Sequence, residues 1–339
     1  MARKGYRRFF AVLLIVILAL SQAGCGGPTY PKESLPELMT KLCRDEYGVD
    51  VKVDIKGATL YIYMPQEDLL DYTKGILPEA EEKINNVMLS ATRVALSTDA
   101  EFRFFCIITQ DPMVPEIELV LIRYIEDIKR FLYHDISRQE YFDRFIVDMK
   151  MTPQGQREKE MRSLFIKLKI DDKWAQAIIK DYFDKHPVEQ IRDIGYWGDR
   201  FFTCDIVFSE FLAEQMGQRI NMKFKKELNE KYGLRQIDAK YNARGGKEFE
   251  VTIEAAPNVY TVEDFSSNIF DVVLRQASRV IHDYRFKDFT AVKVFDWYNG
   301  RQMHAAPDEL EKLLKGRLTV SDLKNEGYER GVDEQLKAD

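Results

Sequence analysis

Histidines, cysteines and carboxylates are the side chains that could do chemistry in this chain, and their spacing argues against most of it. The four histidines, His134, His186, His282 and His304, stand far apart and close to expected turns or element ends. No His-Glu-x-x-His pair, Gly-x-Ser-x-Gly elbow, phosphate-cradling glycine loop or calcium loop occurs. Zinc hydrolysis, acyl transfer through a serine and nucleotide binding therefore have no basis in the sequence, and neither a cofactor nor a metal is expected. Asp99, Glu101 and Asp111 lie around one expected hairpin and read as solvated loop carboxylates. Asp296-Trp297-Tyr298-Asn299-Gly300 has the composition of a ligand loop, but its simplest use is a tight turn. The cysteines Cys25, Cys43, Cys106 and Cys204 are widely spaced, with no Cys-x-x-Cys among them. At most one bridge can form among the last three. Cys106, inside Phe104-Phe105-Cys106-Ile107-Ile108, is expected as a buried thiol.

Cys25 differs from the others in what precedes it. Arg3, Lys4, Arg7 and Arg8 form a basic start without an acid, and Phe9–Leu20 follows as an unbroken apolar run. A charged start, a short apolar core and small residues before a break describe a secretory signal over residues 1–24. The run of 12 residues falls short of the roughly 20 that a spanning helix needs. Ala23-Gly24-Cys25 resembles the lipobox of bacterial lipoproteins, with Gln22 where that family has an aliphatic residue and Leu20 two positions upstream. The resemblance covers only these first residues and implies an address, not an activity. It implies cleavage before Cys25, acyl chains on Cys25 and a tether over residues 25–33. Gly26, rather than Asp, after the cysteine implies the periplasmic face of the outer membrane over the inner membrane.

Cleavage at that point removes four basic residues and takes the formal charge from −6 to −10. So acidic a chain lacks the electrostatic footprint of a nucleic-acid binder. Anionic headgroups would repel it as well, so the lipid is expected to be its membrane contact.

The elements that position these residues read as two copies of one α+β module, ordered helix, strand, strand, helix, strand, strand, helix. The first copy occupies 34–137. It opens with a helix capped at Ser34-Leu35-Pro36-Glu37 and ending at Tyr47-Gly48, followed by strands Val49–Ile55 and Thr59–Met64. The second occupies 218–324, with a helix ending at Tyr232-Gly233 and strands Ile237–Tyr241 and Phe249–Ala255. Pro65 and Pro257 close the two hairpins. Ala91-Thr92-Arg93-Val94 answers Ala277-Ser278-Arg279-Val280 in the middle helices. Second hairpins follow over Phe102–Gln110 and Ile117–Tyr124, and over Ala291–Tyr298 and Arg301–Ala305 with a turn at Asn299-Gly300. Each copy would form a small antiparallel sheet with helices packed on it. Residues 138–217 read as a helical connector. From Cys204 through Phe208, Leu212, Met216, Ile220, Phe224 and Leu228, apolar residues recur every fourth position. Residues 325–339 read as a polar tail.

The first module breaks the alternation expected of a sheet that is wet on one side. Leu60, Ile62, Met64, Phe102, Phe104 and Ile108 are apolar, and so are Tyr61, Tyr63, Phe105, Ile107, Val120 and Ile122. The second set is the candidate face for an envelope protein partner. A non-enzymatic binding or assembly module is the expected function class. The alternatives are a small-ligand or lipid carrier in the periplasm and a hydrolase of unrecognised type.

Overall fold

A computed structural model describes residues 29–71, 75–111, 114–151, 161–162, 164–185, 196–197, 200–201, 205–258, 265–323 and 325–327. The expected signal segment 1–24, Cys25 with Gly26-Gly27-Pro28, His186 and Cys204 lie outside them, as does the tail from 328 onward.

In the first unit, a 3-10 turn at Lys32–Ser34 leads into α1 (Leu35–Tyr47). The expected side-chain cap at Ser34 is not made; Pro36, which has no N–H to leave unsatisfied, sits in the first turn instead. The other end forms as expected. Gly48 adopts φ +65°, its N–H donates to the Arg44 carbonyl, and the Val49 N–H donates to that of Cys43. The hairpin β1 (Lys52–Lys56) and β2 (Thr59–Pro65) follows, then a two-residue ladder of Leu70–Asp71 with Gly75–Ile76. Helix α2 (Pro78–Ser97) leads to β3 (Phe104–Asp111) and β4 (Val114–Tyr124), and α3 (Ile125–Leu132) closes the series. Beyond α4 (Arg138–Asp143), β5 (Ile146–Met151) completes a sheet of order β1-β2-β3-β4-β5.

In the second unit, α6 (Phe208–Lys223) precedes β6 (Tyr232–Asn242) and β7 (Glu248–Pro257). Helix α7 (Phe265–Asp283) then leads to β8 (Ala291–Asp296) and β9 (Arg301–Ala305), followed by α8 (Pro307–Leu314) and β10 (Asn325–Gly327). Its sheet has the order β6-β7-β8-β9-β10. Between the units in sequence, α5 (Asp172–Lys185) and a short ladder of Tyr196–Trp197 with Arg200–Phe201 belong to the first. That unit runs to Tyr133 and resumes over Val147–Asp205; the second takes His134–Ile146 and resumes at Ile206.

Four expectations are corrected. The sheets are mixed, not antiparallel: β2 and β3 pair in parallel, and so do β7 and β8. A helix between two hairpins returns the chain to the end where the first hairpin's second strand began, so the next strand runs alongside it in the same direction. The second Tyr-Gly does not end a helix. Tyr232 and Gly233 open β6, paired with Pro257 and Ala256, while α6 passes through a π turn at Phe224–Leu228. Leu212, Met216, Ile220 and Phe224 of the period-four series are buried, and the π turn starts at the last of them. The connector is not wholly helical, since Ile146–Met151 is a strand of the first sheet. The tail is not wholly loose either: Asn325, Glu326 and Gly327 pair with Met303, Gln302 and Arg301 as an edge strand. Backbone pairing at an edge needs no apolar side chain, so this strand left no hydrophobic signal.

The two sheets are buried differently. In the second, Phe249, Val251, Ile253, Val292, Val294 and Met303 share one buried face, and Glu250, Lys293 and His304 on the other are only half-buried. In the first, every residue of β3 from Phe104 to Thr109 is buried, so neither face of its centre meets water.

Candidate functional site

The parallel register of β2 on β3 decides which side chains of the first sheet share a face. Leu60 pairs with Phe105, Tyr61 with Cys106, Ile62 with Ile107 and Tyr63 with Ile108. Across β4, Cys106 pairs with Ile122, Ile107 with Leu121 and Ile108 with Val120. One face therefore carries Tyr61, Tyr63, Phe104, Cys106, Ile108, Val120 and Ile122. The other carries Leu60, Ile62, Met64, Phe105, Ile107 and Leu121. The six-residue candidate face is thus divided, with Phe105 and Ile107 opposite Tyr61, Tyr63, Val120 and Ile122. Alternation is readable within one strand, but the phase between strands is set by pairing, and a one-residue slip exchanges the faces. All six are buried except Tyr63, which is half-buried. The Tyr63 hydroxyl donates to Gln110 Oε1 at 3.0 Å. Burial first, and then the nearby Glu118 carboxylate, push its ionisation up.

Among the described residues of this unit, Cys43 and Cys106 are free thiols inside the core. Desolvation raises Cys43 to about 11, against a hydrogen bond from Ser90 that pulls the other way. Desolvation alone pushes Cys106 higher still. Thiols held protonated in this way are poor nucleophiles and poor metal ligands.

The carboxylates flanking β3 separate into two roles. Asp111 is buried and Oδ2 accepts the Leu69 N–H at 3.1 Å, so it is a structural cap rather than a solvated group. Asp99 and Glu101 line a recess of about 380 Å³ together with Lys32, Gly57, Ala100 and Phe102. Asp99 Oδ1 accepts the Lys32 backbone N–H at 2.8 Å. Asp205 closes over the hairpin turn next to the recess, accepting the Thr59 hydroxyl at 2.7 Å. Two carboxylates here have no histidine, thiol or hydroxyl beside them in the lining, so the recess offers polar binding and no nucleophile–base pair. Among the described residues no group of three or more histidine, cysteine, aspartate or glutamate side chains is placed to hold a metal ion.

In the second unit the charged residues that converge are structural. Arg144, only 1% exposed, places Nη2 at 2.5 Å from Glu140 Oε1 and 3.8 Å from Asp283 Oδ2, with its guanidinium 4.9 Å from the centre of the Tyr284 ring. Arg219 Nη1 meets the same Asp283 oxygen at 2.6 Å, and Gln215 Nε2 donates to the Arg144 carbonyl. Two cations and two carboxylates balance one another, with buried Arg144 held by carboxylates that reach the surface. Asp296, also buried, accepts both the backbone N–H and Nδ2 of Asn299. The loop from Asp296 is therefore a turn, as expected, but it is four residues long, because Asp296 pairs with Arg301. His134 and His282 are exposed and His304 is half-buried, each apart from the others.

Sequence reasoning missed a run of exposed apolar residues. Leu164, Ile166, Leu168, Trp174 and Ile178 are all exposed in the first unit, at 76% for Ile166 and 70% for Trp174. The signal was present in α5. It holds two apolar stripes at i, i+4 spacing, Ala175 with Ile179 and Trp174 with Ile178, and only the first is buried.

No protein-family model, curated protein or solved structure matches this chain. Among the described residues, no helix is long and apolar enough to cross a membrane.

Proposed function

We propose that the chain is a bacterial envelope lipoprotein held through acyl chains on Cys25, facing the periplasm, and serving as a non-enzymatic binding or assembly module. The observation that carries this reading is the basic start, the apolar run Phe9–Leu20 and the sequence Ala23-Gly24-Cys25. Two features support the module reading. Each unit contains the series α-ββ-α-ββ-α with antiparallel, parallel and antiparallel pairing in the same order. Ala91 and Val94 of α2 are buried like Ala277 and Val280 of α7, as a duplicated unit would have them. The exposed apolar side chains of the first unit, Trp174 and Ile178 on one side of α5 among them, support a binding role. Affinity purification of the full chain from detergent-solubilised membranes tests this reading. A constant companion at fixed ratio is the expected result. Recovery of the chain alone and monomeric would count against an assembly role.

A further inference from the structure

The exposed apolar side chains lie on two helical stretches joined by a capped turn. The helical turn over 164–167 ends with Lys169 at φ +55°, the Lys169 N–H donating to the Ile166 carbonyl and the Ile170 N–H to that of Phe165. Asp171 then starts α5: Oδ1 accepts the Lys173 N–H at 3.0 Å and its carbonyl accepts the Ala175 N–H. Arg162 and Asp172 approach to 3.8 Å across the junction. Ala175 and Ile179 point inward and are buried, so Trp174 and Ile178 face out. Leaving Trp174, Ile166, Leu164 and Leu168 to water forgoes apolar burial that small changes of sequence would avoid.

The charges around this stripe depart from the rest of the chain. The whole chain is acidic at −6, yet from Met161 to Lys180 there are five lysines and arginines against two aspartates. Lys167, Lys169, Lys173 and Lys180 are exposed and, among the described residues, none of these ammonium groups is in an ion pair. Lysine is depleted from protein–protein interfaces. A second copy of the chain would also set the same lysines against one another. Exposed tryptophan and aliphatic side chains interspersed along the segment with exposed lysines instead have the composition of a segment lying in a bilayer interface, where the apolar groups enter and long lysine stems reach back to headgroups.

We infer that the segment from Leu164 to Lys180 docks on an anionic phospholipid surface, holding the first unit against the membrane. The inference rests on the proposed envelope location and adds a second membrane contact to the expected lipid. Each lysine close to such a surface favours the docked state about fivefold, so reversing three reduces it on the order of a hundredfold or more.

The test uses the full chain reconstituted into phosphatidylethanolamine–phosphatidylglycerol vesicles with brominated acyl chains. The emission of Trp174, isolated by comparison with a Trp174→Phe variant, is expected to be quenched. Quenching should be lost in phosphatidylcholine vesicles, and in a Lys167→Glu/Lys169→Glu/Lys173→Glu variant that keeps its circular dichroism. Unquenched Trp174 on chains that sediment with the vesicles overturns the inference. So does quenching that ignores both changes of charge, or Trp174 shielded by a co-purifying protein. A Cys25→Ala variant keeps the two ideas apart: carbonate-resistant attachment reads the anchor, and Trp174 quenching reads the docking.

Discussion

Cys43 and Cys106 show how far the surroundings, rather than residue type, set reactivity. Both are free and wholly buried, on α1 and at the centre of the first sheet. With Cys43 raised to about 11, its thiolate share at pH 8 is about one in a thousand, so alkylating reagents should reach neither residue in the folded protein. Peptide mapping after alkylation, with and without urea, checks this; labelling of Cys43 or Cys106 without urea would contradict it. The same displacement predicts a pH dependence. An unfolded thiol ionises near about 8.5, and the folded state keeps its proton to higher pH. The contribution to stability is therefore complete below that pH and declines as pH rises toward about 11. Urea midpoints should fall over that window more steeply in the parent protein than in a Cys43→Ala variant.

Gly57 carries the corresponding argument at the scale of an element. It is the first residue of the two-residue turn joining β1 and β2 and adopts φ +57°. A Cβ at that position would lie 2.6 Å from Asp205 Cγ. Gly57→Ala meets both an unfavourable backbone conformation and this contact, and should cost about 1–3 kcal/mol. In an Asp205→Gly background the steric part disappears, so a double-mutant cycle in urea should return a coupling between the two positions. Purely additive costs would place the whole effect in the backbone. Other elements show what a dipeptide can and cannot tell. Tyr47-Gly48 and Tyr232-Gly233 look alike, yet one closes a helix with a left-handed glycine and the other opens a strand. Local composition allows both outcomes; the partner strand, reaching Pro257, chooses the second.

At the scale of the whole molecule, the proposed anchor and the docking segment make separate demands. The mature chain would carry a net charge of −10, which opposes approach to an anionic bilayer everywhere but at the lysine-rich segment, so stable attachment needs acyl chains, at about 0.8 kcal/mol per buried CH₂. Cys25→Ala should release the chain from carbonate-washed membranes; retention would mean that the apolar run or another contact is the anchor. The order of elements was legible because helical and strand periodicities, glycines and prolines are local: Pro65 and Pro257 end their strands and Gly48 ends its helix, as read from the residues. The acidity, the lack of the motifs sought and the basic start with its apolar run before Cys25 are likewise properties of the chain itself. Tertiary structure alone decided the parallel centre of each sheet, the register that parts Phe105 and Ile107 from Tyr61 and Tyr63, and the recruitment of Ile146–Met151 and Asn325–Gly327 as outer strands. It also decided which of two apolar stripes on α5 is buried. Those choices depend on which distant segments meet, and hydrophobicity along the chain is blind to that.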